Sequence, residues 1–179
     1  MINVLILPHA IPHKKLKART LEISKELSKD QIFKIFYLER GLMRDDLLYG
    51  IKNGFKKSIV YRQIDKIIFI RIPYIPALIE PLLTYNRGII KKIIKDLNIH
   101  LIINNFSHSF SISPSNKYVY IYDYVDDYAS FHKNIFIKIL MNNFIKKEVK
   151  KADFLPVGTT ALGERSKRKK WKARYMWFI

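Results

Sequence analysis

Three carboxylates follow directly after a short apolar segment in the second half of the chain. Residues 118–122 are a run of β-branched and aromatic residues, and Asp123, Asp126 and Asp127 come next. Such a run is typical of a strand covered on both faces, and ligands of open α/β sheets bind beyond the carboxyl ends of such strands. Carboxylates there can hold hydroxyl groups or move protons. The spacing is equally consistent with Asp127 or Ser130 capping the next helix.

Imidazole side chains follow two other predicted strands. His9 and His13 come after the first strand, and His108 lies in the polar loop after the fourth. If the strands are parallel, these residues share one edge of the sheet with the aspartates. An imidazole beside a carboxylate can polarise sugar hydroxyls or pass a proton, so His9, His13, His108 and Asp123 are candidate binding residues. The alternative is that these residues are hydrated side chains of turns.

The elements that would position these side chains alternate along the chain. Helices are predicted at residues 14–28, 81–97 and 134–151, with an insertion at 41–58 and a short basic helix within 158–170. Strands are predicted at residues 2–7, 32–38, 66–72, 99–103, 118–122, 154–157 and 173–179. The alternation predicts one α/β domain over residues 1–179, a Rossmann-like, doubly wound, mostly parallel sheet with helices on both faces.

The composition narrows the classes of protein. The chain has 179 residues, 49% of them hydrophobic, with no cysteine and a net charge of +18. The absence of cysteine excludes disulfides and thiolate chemistry. The charge predicts an anionic partner, whether nucleic acid, a membrane surface or a phosphorylated molecule. No leader or membrane-spanning segment is recognisable, so we expect a cytoplasmic protein that is at most peripheral on the membrane.

The most basic segment lies near the end of the chain, at residues 164–174. It combines Trp171 with seven cations, and the five nearest to it are Lys167, Arg168, Lys169, Lys170 and Lys172. An aromatic residue among cations is typical of RNA-binding surfaces, where bases stack on the ring. The same residues would suit an anionic membrane. A solvated helix face is the third interpretation, and the sequence leaves all three open.

Common catalytic and cofactor motifs are missing from the chain. There is no Gly-x-Gly-x-x-Gly after the first strand, no phosphate-binding Gly-Lys-Ser/Thr loop and no His-Glu-x-x-His. His9 and His13 are four residues apart, but Pro12 between them argues against a helix and thus against a helical metal site. We therefore expect no metal and no covalently bound cofactor.

Two segments together resemble the N-terminal domain of GT-B glycosyltransferases of the family 4 type. Residues 122–131, Tyr-Asp-Tyr-Val-Asp-Asp-Tyr-Ala-Ser-Phe, resemble the family's Tyr-Asp-x-x-Asp-Asp…Phe segment. Residues 152–164 resemble its Ala-Asp…Ser-x-x-Leu-x-Glu segment, with Thr159 where Ser is usual. The opening strand and residues 19–27 resemble the first βα unit of the family. The matches cover most of the chain in the right order.

The resemblance implies one half of a two-domain enzyme that moves a sugar from a nucleotide-sugar donor to a glycan or lipid-linked acceptor, without a metal. It implies that Asp126 and Asp127 are catalytic, face the cleft and contact the acceptor or the transferred sugar. It also implies that His9, His13, His108 and Asp123 bind the acceptor, and that Arg19, with His9, lies near the donor phosphates or the helix that approaches them. Lys14 and Lys15 stand where the family often has a glycine pair. The chain also stops where the family continues into its donor-binding domain. We therefore expect a fragment, a separately encoded half or a degenerate copy, inactive alone, or a partner subunit that needs a second chain.

Overall fold

The computed structural model describes residues 1–8, 19–39, 59–72, 80–105, 112, 115–124, 133–157 and 174–177, without the side chains of 80–86, 157 and 174–177. The helices in this part of the chain are α1 (Arg19–Lys29), α2 (Glu80–Asp96) and α3 (Ile135–Lys151). The strands are β1 (Ile2–Leu7), β2 (Phe33–Glu39), β3 (Val60–Ile64), β4 (Ile67–Arg71), β5 (Leu101–Asn104), β6 (Val119–Tyr122), β7 (Phe154–Val157) and β8 (Arg174–Trp177).

All eight of these strands belong to one sheet, in the order β3-β4-β2-β1-β5-β6-β7-β8. Every neighbouring pair is parallel except β3 and β4, which form an antiparallel hairpin at one edge. The predicted fold class, a mostly parallel α/β sheet, is therefore confirmed. Because the strands are parallel, the carboxyl ends of β1, β5, β6 and β7 all lie on one edge of the sheet.

The sheet separates two apolar clusters, which explains why β1 is apolar almost throughout. Val4 and Ile6 contribute to the cluster that packs under α1, while Leu5 and Leu7 contribute to the cluster on the opposite face. All four side chains are fully buried. A central parallel strand is covered on both faces, so its sequence shows no alternation of apolar and polar residues. Residues of α2 and α3 belong to the second cluster, so helices cover both faces of the sheet.

The helix ends follow the local chemistry of the sequence. Asn98, predicted to end α2, has a positive φ of 45°, a conformation that asparagine tolerates better than most residues. The side chain of Asn134 caps α3 by accepting hydrogen bonds from the backbone N–H groups of Phe136 at 2.9 Å and Ile137 at 3.3 Å. The alternative interpretation, in which Asp127 or Ser130 caps this helix, is therefore wrong, because Asn134 occupies the cap position.

The structure differs from the sequence-based expectations in two other places. Strand β3 was not predicted, because all five of its residues are exposed on an edge strand and give no continuous apolar run. The turn between β3 and β4 contains Asp65 at a φ of 52°, a left-handed conformation that aspartate tolerates in tight turns. The apolar stripe of the helix predicted at 134–151 includes Leu140, which the pattern predicts to be buried, but its side chain is 41% exposed. The insertion at 41–58 and the basic helix at 158–170 lie outside the described residues.

A buried polar network joins α3 to the central strands. The Asn104 side-chain amide donates to the Tyr120 hydroxyl at 2.7 Å, and that hydroxyl donates to a Glu148 carboxylate oxygen at 2.6 Å. Glu148 is 3% exposed and also pairs with Lys151 at 3.4 Å. Burial raises the pKa of Tyr120 well above its ordinary value, and the neighbouring Glu148 carboxylate raises it further. The neutral phenol is therefore the form that the folded protein requires.

The Tyr120→Phe variant should lower the free energy of unfolding at neutral pH by about 1–3 kcal/mol, because buried Asn104 and Glu148 lose a partner. In the unfolded chain the tyrosine releases its proton near pH 10, whereas the folded protein retains it. The wild-type advantage should therefore be complete below pH 10 and shrink as the pH rises above it. Urea titrations of both proteins between pH 7 and 11 measure the difference. A difference that stays constant with pH would show that the hydroxyl does not titrate as described.

Candidate functional site

The strand order defines a crevice at the centre of the sheet. From β1 the chain passes to β2 on one side, and it later returns to β5 on the other side of β1. At such a switch point the connecting segments diverge to opposite faces, and ligands of doubly wound folds bind beside the carboxyl ends of the two strands. Backbone hydrogen bonds join the strand ends here, from Asn105 N to Leu7 O and from Asp123 N to Asn104 O, both 2.9 Å.

Asp123 is an acidic residue at the carboxyl edge of the sheet, beside this crevice. Its side chain is 3% exposed, and its carboxylate accepts hydrogen bonds from Arg19 Nε at 3.2 Å and Arg19 Nη2 at 3.4 Å. The Asn105 amide donates to the same carboxylate at 3.2 Å and to the Asp123 carbonyl at 3.1 Å. A carboxylate removed from water is costly unless a cation and hydrogen-bond donors compensate it. Arg19 and Asn105 supply both.

Arg19 differs from its partner in exposure. Its side chain is 42% exposed, so part of it lies in solvent although the guanidinium contacts buried Asp123. The contact uses two N–H groups of a rigid planar fork that carries five. Asp123 therefore fixes the orientation of the guanidinium, as a bidentate pair does. The result is an oriented and partly solvated cation at the carboxyl edge of the sheet.

Helix α1 is held against β2 by buried polar groups that also fix the position of Arg19. The Thr20 and Tyr37 hydroxyls lie 3.2 Å apart, and the Ser24 hydroxyl donates to the Thr20 carbonyl at 2.7 Å. Thr20 and Ser24 are both buried. Burial raises the pKa of the Tyr37 phenol, so this contact stays uncharged. Arg19 precedes Thr20 directly, and its backbone therefore has little freedom to move away from Asp123.

The structure brings together two residues that were predicted to have separate roles. Arg19 was predicted near donor phosphates and Asp123 in acceptor binding, but they form one ion pair. Asn105 was missed, although an asparagine directly after a predicted strand at the same edge as Asp123 could have indicated it. The other predicted site residues lie outside the described residues; these are His9, His13, His108, Asp126, Asp127, Lys167, Arg168, Lys169, Lys170 and Lys172.

A second concave surface, with a volume of about 620 Å³, lies at the opposite, amino edge of the sheet. Its polar groups hold the strands together: Asn3 N donates to His100 Nδ1 at 3.0 Å, and Tyr120 N donates to Asp153 at 2.8 Å. The Asp153 carboxylate thus joins β6 to the residue that precedes β7. Burial raises the pKa of Tyr118, with Asp153 and Glu148 adding to the effect. These contacts give the amino edge a structural role.

The described residues contain no cluster of three or more His, Asp or Glu side chains placed to hold a metal ion. Among the same residues, no helix has the length and apolar character needed to cross a membrane.

No protein-family model matches the chain, and no curated protein is significantly similar to it in sequence. Among solved structures, a sucrose-phosphate synthase chain from Thermosynechococcus elongatus is similar, with a TM-score of 0.59 and 13% sequence identity. The similarity covers 99% of this chain and 87% of that one. At this identity the likeness establishes the fold alone. The chain is thus a Rossmann-like α/β domain with a GT-B-like fold; that it belongs to the glycosyltransferases, and to the family 4 type, stays a prediction.

The Arg19→Gln variant should lower the free energy of unfolding by about 1–3 kcal/mol, because it leaves the buried Asp123 carboxylate without its cation. The matched control is Arg62→Gln. It breaks the ion pair between Arg62 on the edge hairpin and Glu39 at the end of β2. Since the Arg62 side chain is 59% exposed, its loss should change stability by less than about 1 kcal/mol. Chemical denaturation measures both variants. Equal effects would mean that burial of Asp123 does not depend on Arg19.

Proposed function

We propose that the chain is the acceptor-side domain of a GT-B glycosyltransferase, of the family 4 type. The observation that carries the proposal is the ion pair of Arg19 with buried Asp123 at the switch point of a doubly wound sheet. The GT-B-like fold supports it, as does the Asp-x-x-Asp-Asp segment that begins at Asp123. In the complete enzyme this domain binds a glycan or lipid-linked acceptor, and a second domain binds the nucleotide-sugar donor.

The chemistry of a sugar acceptor suits this edge of the sheet. Sugar hydroxyls both donate and accept hydrogen bonds, so they need fixed partners of both kinds. Arg19 offers N–H donors whose direction is set by Asp123, and the amide of Asn105 is likewise held in place. Asp126 and Asp127 follow Asp123 by three and four residues in the sequence. They are proposed to accept hydrogen bonds from the acceptor hydroxyl that attacks the donor. His9, His13 and His108 are proposed to complete the acceptor site.

Transfer itself needs more than the described site. The proposed reaction forms a bond from an acceptor oxygen to the anomeric carbon and breaks the bond from that carbon to the nucleotide diphosphate. The acceptor proton leaves through a carboxylate or water. The nucleotide diphosphate must be held by groups from a donor-binding domain or subunit. We propose that this chain acts only with such a domain or subunit and that the transfer uses no metal.

Saturation-transfer NMR of the full chain with simple pyranosides tests acceptor binding directly. The probes are the methyl glycosides of glucose, mannose and galactose, together with N-acetylglucosamine, each at millimolar concentration. At least one probe should receive saturation from the protein, and Arg19→Gln should reduce the signal at least fivefold because the oriented donors are lost. The Arg62→Gln variant is the matched control and should keep the full signal.

The paired variant Asp126→Asn, Asp127→Asn separates binding from stability, since it leaves both Arg19 and Asp123 unchanged. It should lower the saturation signal while leaving the denaturation midpoint within the range of the control. Absence of signal from every probe, or equal signal from all variants, would contradict an acceptor site at this edge.

A further inference from the structure

Helix α3 exposes large apolar side chains on the side that faces away from the sheet. Ile135 is 60% exposed, Phe136 75%, Ile139 51% and Leu140 41%. They are not a displaced core stripe, because the same helix buries a separate set on its inner side, which comprises Met141, Phe144, Ile145 and Val149. Four large apolar groups within six residues form a contiguous surface, and such surfaces on folded domains indicate contact with a partner or a membrane.

The same side of α3 is basic in its second half. At 3.6 residues per turn, Lys146 and Lys150 fall in line with Ile135 and Ile139, and Lys147 falls between Phe136 and Leu140. All three lysines are exposed. We call the four apolar residues and these three lysines the outward face of α3. It has an apolar half towards the start of the helix and a basic half towards its end, in a chain whose net charge is +18.

We propose that the outward face of α3 docks on an anionic phospholipid bilayer. A helix lying in the membrane interface buries its apolar side chains at the boundary of the acyl chains, while its lysines reach the lipid phosphates. Both halves of the face match one such surface. An uncharged apolar partner would leave the lysines unused, and a nucleic acid could stack on Phe136 but would leave Ile135 and Ile139 unused. Charge complementarity and exposed apolar area together therefore favour the bilayer.

The placement of the helix gives the docking a consequence for the proposed acceptor site. Because α3 connects β6 to its parallel neighbour β7, it runs from the carboxyl edge of the sheet back to the amino edge. Its apolar half consequently begins near the edge that carries Arg19 and Asp123. A docked membrane would lie beside the proposed acceptor site and could present a lipid-linked acceptor to it. The docking itself does not depend on sugar transfer.

Flotation of the full chain with vesicles tests the docking. One set of vesicles is neutral phosphatidylcholine alone. The other contains about 30% phosphatidylglycerol in phosphatidylcholine and so carries an anionic surface. Wild-type protein should bind the anionic vesicles at least tenfold more tightly. The Lys146→Gln, Lys150→Gln variant should lose roughly 30-fold, since each lysine near such a surface contributes about 1 kcal/mol. Its matched control is Lys25→Gln, Lys29→Gln, the same spacing on the exposed side of α1, which should lose less than about threefold.

The apolar half is tested in the same assay by Phe136→Gln, Ile139→Gln. This variant should weaken binding on the order of tenfold while keeping the folding midpoint, because both side chains are exposed in the folded protein. Its control exchanges two exposed apolar residues of the edge hairpin, Val60→Thr and Ile64→Thr. Equal losses in the α3 and control variants would overturn the proposal, because binding would then not depend on the outward face of α3.

Two further outcomes separate the alternatives. If the Phe136→Gln, Ile139→Gln variant dissociates an oligomer in sedimentation velocity and leaves vesicle binding unchanged, the face is an interface between copies of the chain and the proposal is wrong. The Arg19→Gln variant should retain vesicle binding in full. Loss of sugar binding with vesicle binding intact, or the reverse, therefore distinguishes failure of the proposed function from failure of the docking.

Discussion

The buried carboxylate of Asp123 is the constraint on which the arrangement at the carboxyl edge depends. With 3% of its side chain exposed, it can stay charged only where a cation and hydrogen-bond donors reach it. Arg19 comes from the start of α1 and Asn105 from the end of β5, so the two partners connect segments that are far apart in the sequence. In return, the buried charge orients a guanidinium that remains partly in solvent. The ion pair of Arg19 and Asp123 thus serves both the packing of the domain and a surface that can bind a ligand.

The rest of the fold keeps these three residues together. Parallel pairing of β1, β5 and β6 places their carboxyl ends side by side, and apolar clusters on both faces fix the strands in register. The Tyr37 contact with Thr20 holds the first turn of α1 near β2, while the Tyr120 contact with Glu148 holds α3 on the other face. Each of these polar contacts is buried, so each positions one element relative to the sheet more specifically than apolar packing does.

Much of the fold could be predicted from the sequence because its central strands are buried on both faces. The apolar runs of β1 and β7 gave their bounds directly, and Asn98 gave the end of α2. The hairpin strand β3 escaped prediction because no face of it is buried. The site was predictable only in part. Spacing located Asp123 at a strand end, but nothing local to Asp123 or Arg19 shows that the two side chains meet across 104 positions of the chain.

The most direct test of the central claim is hydrogen–deuterium exchange of the full chain with and without a pyranoside that binds. The acceptor-site account predicts slower exchange in the backbone amides of residues 19–24, 104–105 and 122–124 at the carboxyl edge. It predicts unchanged exchange around His100, Tyr118 and Asp153 at the amino edge. Protection confined to the amino edge would contradict the account, because the ligand would then occupy the edge opposite to Arg19 and Asp123.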